Sequence, residues 1–224
     1  MSGTAARRCG ICGAPGRTPF RAPAPEISPD LDMRPGEPAR STLPDWLQVC
    51  GSCGAVAPDL AALSAVAKTV VESPAYRSLS GEGAEETLPF RRWAALCRAA
   101  GDTAAAAEAM LHAAWAADDA AEMLEASRLR QAVAQAWGEP ADQSTALRRL
   151  DVLRRSGDFA AADAWAARLV GRPLDAIGRA VLAFQCERIA QRDIGRHLLS
   201  SALPPSLSPA DMPRPAFWRW LFGA

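Results

Sequence analysis

Two cysteine pairs in the N-terminal quarter of the chain have the residue types and spacing of a metal site. Residues 9–13 read Cys-Gly-Ile-Cys-Gly and residues 50–54 read Cys-Gly-Ser-Cys-Gly. The Cys-x-x-Cys spacing lets two thiolates converge on one ion, and the following glycine can take the tight left-handed turn beneath it. Two such knuckles supply four sulfurs, so we predict one metal ion held by Cys9, Cys12, Cys50 and Cys53.

The closed set of four sulfurs predicts a structural metal rather than a catalytic one, because a catalytic zinc keeps one coordination position open. Zinc is the expected ion. Iron is the alternative, since Cys-x-x-Cys-Gly knuckles also build rubredoxin-type centres. Rubredoxins wrap their iron in aromatic residues, whereas this segment offers only Phe20 and Trp46 as large apolar groups. Neither pair has the strand-helix-strand context of a thioredoxin-like dithiol.

The composition of the 224-residue chain changes near residue 56. The earlier part is rich in proline and lacks helical periodicity, whereas residues 59–202 are alanine-rich and periodic. We predict a zinc-ribbon-like module over residues 1–56, a helical domain over 57–203 and a proline-rich aromatic tail over 204–224. So small a module needs its metal for much of its folding free energy.

The helical region repeats a hairpin pattern. Gly101-Asp102 ends one predicted helix and caps the next, and Gly157-Asp158 does the same further along. When these turns are superposed, Ala106 falls on Ala162, and small residues at such positions let antiparallel helices approach closely. The pattern resembles tetratricopeptide repeats, although the offset departs from their period of about 34 residues. The predicted fold is therefore mainly α, an irregular tetratricopeptide-like hairpin bundle that ends in a pair over residues 174–190 and 194–203.

Taken together, the two parts resemble a bacterial family of unknown function. Its members combine two Cys-Pro-x-Cys-Gly knuckles, an intervening Asp-x-Asp stretch and tetratricopeptide-like helices. Residues 29–35, Pro-Asp-Leu-Asp-Met-Arg-Pro, match the intervening stretch, while Gly10 and Gly51 stand where the family has proline. The resemblance implies the same four cysteines as metal ligands and attaches no activity to them.

The remaining polar residues show no catalytic pattern. Asp30 and Asp32 are interpreted as solvated turn residues, with an acid-base pair as the alternative. The basic cluster on one predicted helix is interpreted as a solvated face; it comprises Arg148, Arg149, Arg154 and Arg155. Cys97 and Cys186 are expected to fill the core. His112 and His197 lie in separate helices without a nearby acid or nucleophile pattern, so we predict that the chain is not an enzyme.

The charge balance and the lack of targeting signals limit which classes of partner and which cellular location we expect. Twenty-five basic and 25 acidic residues balance, so no strong field would draw the chain to nucleic acid. The start has no apolar stretch of signal-peptide length and no later run is long enough to span a bilayer. Few cysteines, four of them in knuckles, favour a reducing compartment, and a cytoplasmic location is expected.

We therefore predict a zinc-binding adaptor that contacts a protein or peptide partner through its helical hairpins. The tail would cap the helices, engage a partner or touch a membrane surface. A nucleic-acid-binding ribbon is one rival, and it would need six arginines on one face: Arg7, Arg8, Arg17, Arg21, Arg34 and Arg40. An iron electron carrier using the same cysteines is the other.

Overall fold

The computed structural model describes residues 7–204, and this part of the chain is mainly helical. It forms two compact units, each built from two separate stretches of sequence. The first, here called the knuckle unit, contains residues 7–21 and 42–136; the second, the C-terminal unit, contains residues 22–41 and 137–204. The predicted mainly α class is confirmed, whereas the tetratricopeptide-like repeat stays a prediction.

The units do not divide at residue 56, because residues 22–41 group with the C-terminal helices. The predicted boundaries concern which parts fold independently, and they stay a prediction. Residues 205–224, nearly all of the predicted tail, lie outside the described part of the chain. None of the helices between residues 7 and 204 combines the length and apolar character needed to cross a bilayer.

The knuckle unit contains a small sheet and five α-helices. Strand β1 (Gln48–Val49) pairs with β2 (Val56–Ala57) in an antiparallel ladder, with Val49 opposite Val56. The helices follow in order: α1 (Ala65–Glu72), α2 (Pro74–Ser78), α3 (Leu88–Ala99), α4 (Thr103–Asp119) and α5 (Met123–Trp137). The last residue of α5, Trp137, is grouped with the C-terminal unit.

The predicted helical domain begins as two separate pieces. Asp59 caps a short 3-10 turn over Leu60–Ala62, and α1 begins only after Ser64. The backbone N–H of Gly10 donates to the carbonyl oxygen of Leu60 at 2.9 Å. In a continuous α-helix the Leu60 carbonyl would accept a hydrogen bond from the N–H of Ser64. The N–H of Gly10 occupies this carbonyl instead, and the helix is interrupted there.

Both predicted Gly-Asp turns are present and have the same geometry. Gly101 and Gly157 have φ values of 82° and 81°, in the left-handed region that favours glycine. The Asp102 carboxylate accepts a hydrogen bond from the N–H of Ala105, and that of Asp158 accepts one from Ala161. These two aspartates satisfy N–H groups that have no acceptor within the first turn of a helix, and so fix where α4 and α7 begin.

The C-terminal unit contains three α-helices: α6 (Gln143–Arg155), α7 (Phe159–Val170) and α8 (Ala176–Ala190). The expected final helix over residues 194–203 is wrong. Residues 194–197 have no regular secondary structure, Leu198 forms a bridge with Asp30, and a 3-10 turn follows over Leu199–Ala202. The N–H of Leu31 donates to the His197 carbonyl at 3.1 Å, so pairing with the Asp-x-Asp stretch replaces helical hydrogen bonds.

Candidate metal centre

The two knuckles repeat one backbone arrangement. In the first, the N–H of Cys9 donates to the carbonyl of Ala14 at 2.8 Å, and the N–H of Gly13 donates to that of Cys9 at 2.9 Å. In the second, Cys50 donates to Ala55 and Gly54 donates to Cys50, each at 2.8 Å. Gly13 and Gly54 have φ values of 72° and 71°, as expected of the glycine that closes each turn.

These turns bring the four sulfurs together. All four Sγ atoms lie within 4.8 Å of one another, with Cys9 and Cys53 at 3.8 Å and Cys12 and Cys50 at 3.5 Å. A tetrahedral ion with metal–sulfur bonds of ~2.3 Å separates its sulfurs by ~3.8 Å. All six cysteines of the chain are free thiols. The four cysteines named from the sequence therefore lie together and could hold one metal ion with little rearrangement. Their role as ligands stays a prediction.

Backbone N–H groups are placed to stabilise negative charge on these sulfurs. Burial opposes ionisation of Cys50, but the N–H groups of Cys53 and Ser52 outweigh it and lower the pKa of Cys50 to about 7. Burial raises the pKa of Cys53 to about 12, against a hydrogen bond from the N–H of Ala55. One thiol of the cluster therefore ionises near neutral pH, whereas its neighbour stays protonated. A bound cation would offset the repulsion between adjacent thiolates and so allow both to ionise.

The centre is buried on one side and open on the other. Cys9 and Cys50 are 2% and 4% exposed, whereas Cys12 is exposed to solvent. The buried side is a core shared with the helices, in which Val71 of α1, Tyr76 of α2 and Leu96 of α3 pack with these two cysteines. Phe20 and Trp46, the two large apolar residues of the N-terminal segment, do not belong to this core.

Those two aromatic residues lie elsewhere in the knuckle unit. Phe20 is 39% exposed. The Trp46 ring contacts His112 and Trp115 edge-on, with centroids 5.2 Å and 6.3 Å away. The apolar floor of the centre therefore comes from the helices together with Ala55, Ala57 and Leu60, and not from these two aromatic rings.

Tyr76 joins the second knuckle to α2 and was not singled out from the sequence. Its buried hydroxyl donates to the carbonyl of Gly54 at 3.2 Å and accepts from the N–H of Val56. Burial raises the pKa of Tyr76 to about 12, opposed by Arg92 and reinforced by Cys53. It is the only tyrosine in the chain, and its place directly after the Ser73-Pro74 helix start was the one local signal.

The Asp-x-Asp stretch is buried, so its interpretation as solvated turn residues was wrong. Asp30 and Asp32 are 1% and 0% exposed. Asp30 pairs with Arg40 at 2.8 Å, and Asp32 pairs with Arg155 at 3.1 Å. Burial, together with the nearby Asp32 carboxylate, raises the pKa of Asp30 above its ordinary value despite Arg40.

The arginines of α6 are correspondingly not a solvated face. Arg148, Arg154 and Arg155 are 6%, 0% and 9% exposed. Arg148 donates to the carbonyl of Asp32 at 3.1 Å, and Arg154 pairs with Asp151 at 2.6 Å. The half-buried Arg149 lies over the Trp165 ring, 4.4 Å from its centroid. The buried acids of the C-terminal unit require these cations, which is why a charged helix face turns inward.

The other residues singled out from the sequence contribute no second centre in the described part of the chain. Cys97 is buried, as expected, and burial raises its pKa to about 12. Cys186 is half-buried, with its pKa also raised. His112 packs among aromatic rings. His197 does have an acid nearby, since its Nε2 lies 2.7 Å from Asp193.

Comparisons of the chain with family models, with curated proteins and with solved structures found no match. The four clustered cysteines and the mainly helical fold agree with the architecture of the family that the sequence resembles. Membership of that family stays a prediction.

Proposed function

We propose that Cys9, Cys12, Cys50 and Cys53 hold one structural zinc ion in a non-enzymatic cytoplasmic protein that acts as an interaction adaptor. The observation that carries the zinc site is the approach of four free thiols to the spacing that tetrahedral coordination needs. Four thiolate ligands leave no open position on the ion, so the metal would stabilise the knuckles rather than act on a substrate.

Elemental analysis and an absorption spectrum of the purified full chain test the metal. We expect one equivalent of zinc, lost in Cys50→Ser and retained in Cys186→Ser, which replaces a cysteine outside the cluster. Retention of full zinc by Cys50→Ser would contradict the assignment.

One observation favours an iron electron carrier as the second candidate. Cys12 is exposed to solvent, and an exposed sulfur ligand gives a redox centre a short path to another molecule. The same measurement separates the two, because four-sulfur iron absorbs in the visible through thiolate charge transfer whereas zinc is colourless. Iron at one equivalent with a reversible redox signal would replace the zinc proposal.

The adaptor role is supported by an exposed apolar pair just after the turn between α4 and α5. Leu124 and Met123, at the start of α5, are 77% and 56% exposed. Adjacent apolar side chains of this exposure favour burial against a partner. The alternative of a nucleic-acid-binding ribbon requires Arg34 and Arg40 on the binding face. Arg34 is only 1% exposed, however, and Arg40 pairs with Asp30.

Affinity capture with the full chain tests the adaptor. We expect a specific protein to be recovered after nuclease treatment, to be lost with Leu124→Glu and to be retained with Val66→Glu. Val66 is also exposed, at 54%, but lies on α1 rather than at the start of α5. Recovery that depends on nucleic acid would overturn the adaptor.

A further inference from the structure

A cavity of about 530 Å³ lies beside the exposed part of the cysteine cluster, within the knuckle unit. Cys12 and Cys53 line it on the side of the knuckles. Helices α1, α2 and α3 line the opposite side and each contributes one basic residue: Lys68, Arg77 and Arg92. The volume falls in the range of about 300–1,000 Å³ that is typical of small-molecule sites.

The lining is strongly biased towards positive charge. Lys68, Arg77 and Arg92 face a single acid, Glu72, and Lys68 is the only lysine in the chain. The three cations come from three different helices, so they converge only in the folded unit. Guanidinium groups bind phosphate through paired hydrogen bonds, and lysine adds a compact positive charge.

Arg92 adds a buried donor to the wall of this cavity, a feature that Arg154 and Arg188 also show elsewhere in the described residues. The Nε of Arg92 is buried and has no hydrogen-bond acceptor among the described residues. Its guanidinium carbon lies 5.2 Å from the centroid of the Tyr76 ring, which holds the group against the wall of the cavity. A buried donor without an acceptor is costly, and an anion in the cavity would supply one.

Neutralisation of the thiolates is the simpler explanation of the three cations, because four thiolates around a divalent ion carry a net charge of −2. Lys68 and Arg77 are exposed, however, and solvent and salt screen such charges from a centre that they do not touch. Charge balance also leaves the cavity itself without an explanation.

We propose that this cavity binds a small phosphorylated molecule, with the phosphate held by Arg92, Lys68 and Arg77. Ile11 and Val71, which also line the cavity, would contact the apolar part of the ligand. This site is additional to the adaptor function and does not depend on it.

Calorimetric titration of the zinc-loaded full chain tests the proposal, with inorganic phosphate and glycerol 3-phosphate as probes and succinate as the carboxylate comparison. We expect saturable binding of the phosphates, weakened about tenfold or more by Arg92→Gln and by Lys68→Gln. Arg98→Gln, an exposed arginine of the same helix α3 outside the cavity lining, is the matched control and should change affinity less than about twofold.

Zinc content and far-ultraviolet circular dichroism show whether each variant is still folded. Because Lys68 is exposed, Lys68→Gln should disturb folding less than Arg92→Gln. Amide cross-peaks of Cys12 and Gly54 should shift on titration, which locates the bound probe. Absence of saturable binding, equal binding of succinate, or equal loss in Arg98→Gln would each overturn the proposal. Lower zinc affinity in Arg92→Gln and Lys68→Gln with no phosphate binding to the unsubstituted chain would establish charge balance instead.

Discussion

Gly10 and Gly51 occupy equivalent positions in the two knuckles but have different surroundings. A Cβ on Gly10 would clash with the carbonyl oxygen of Leu63, whereas a Cβ on Gly51 would meet no atom within 4 Å. The N–H of Gly10 is also used, since it donates to Leu60. The departure from Cys-Pro-x-Cys therefore has a structural reason in the first knuckle, and none is evident in the second.

These surroundings predict opposite outcomes for the same substitution. Gly10→Ala should lower the free energy of unfolding by about 1–3 kcal/mol, because the clash is with backbone that cannot rotate away. Gly51→Ala should change it by less than about 0.5 kcal/mol. Urea unfolding of the two zinc-loaded variants makes the comparison, and equal effects would mean that the first knuckle does not contact residues 60–63 as described.

Tyr76 links the knuckle to α2, and its raised pKa makes stability depend on alkaline pH. In the unfolded chain the phenol ionises near its ordinary pKa of about 10, whereas in the folded unit its pKa is about 12. The unfolded state therefore loses its proton first as the pH rises. Between these values the folded state should lose about 1.4 kcal/mol of stability for each pH unit.

Absorbance near 295 nm follows this ionisation directly because the chain has one tyrosine. We expect a folded-state midpoint well above that of the urea-unfolded chain, and a Tyr76→Phe variant with no such absorbance change. A folded midpoint near 10 would show that the hydroxyl is not buried against Gly54.

At the scale of elements, the Asp-x-Asp stretch is held against α6 by buried charges. Asp32 is fully buried and pairs with Arg155, while its carbonyl accepts from Arg148. Removing one partner of such a pair leaves an uncompensated buried charge, which typically costs about 3–5 kcal/mol. Asp32→Ala should therefore destabilise the C-terminal unit by roughly this amount.

Chemical denaturation followed by hydrogen exchange in α6–α8 measures that loss. Asp163→Ala removes an exposed acid from α7 in the same unit and should have little effect. A small effect of Asp32→Ala would mean that its pairing with Arg155 contributes little net stability.

The elements that could be predicted from the sequence are those fixed by near neighbours. The two knuckles each depend on five consecutive residues, and the turns at Gly101 and Gly157 depend on a glycine and the capping aspartate that follows it. The burial of Asp32 depends on Arg155, 123 positions away. The non-helical stretch at 194–198 likewise depends on pairing with residues 30–31. That distant pairing replaced the helix that the local periodicity predicted.

At the scale of the whole molecule, a metal held by the four cysteines would contribute to more than the zinc-ribbon-like module predicted over residues 1–56. Cys9 and Cys50 belong to the same core cluster as Val71, Tyr76 and Leu96, which lie on α1, α2 and α3. Without an ion, the sulfurs of Cys50 and Cys53 would have to stay adjacent with nothing bound between them. Burial opposes ionisation of both thiols: backbone N–H groups outweigh it at Cys50, whose pKa is about 7, whereas at Cys53 burial raises the pKa to about 12. If the proposed ion were released, the knuckles would lose the bonds that hold them over that core.

We accordingly expect chelation to loosen α1–α3 together with both knuckles, while α6–α8 of the C-terminal unit retain their protection. Hydrogen-exchange mass spectrometry before chelation, after chelation under reducing conditions and after return of zinc measures this, and zinc should restore the original pattern. Structural zinc in small modules is worth about 10–16 kcal/mol of apparent binding free energy, far more than the apolar contacts of a few side chains can replace. Loss of protection confined to residues 7–21 and 42–63 would instead show that α1–α3 bury enough surface among themselves to stand without the centre.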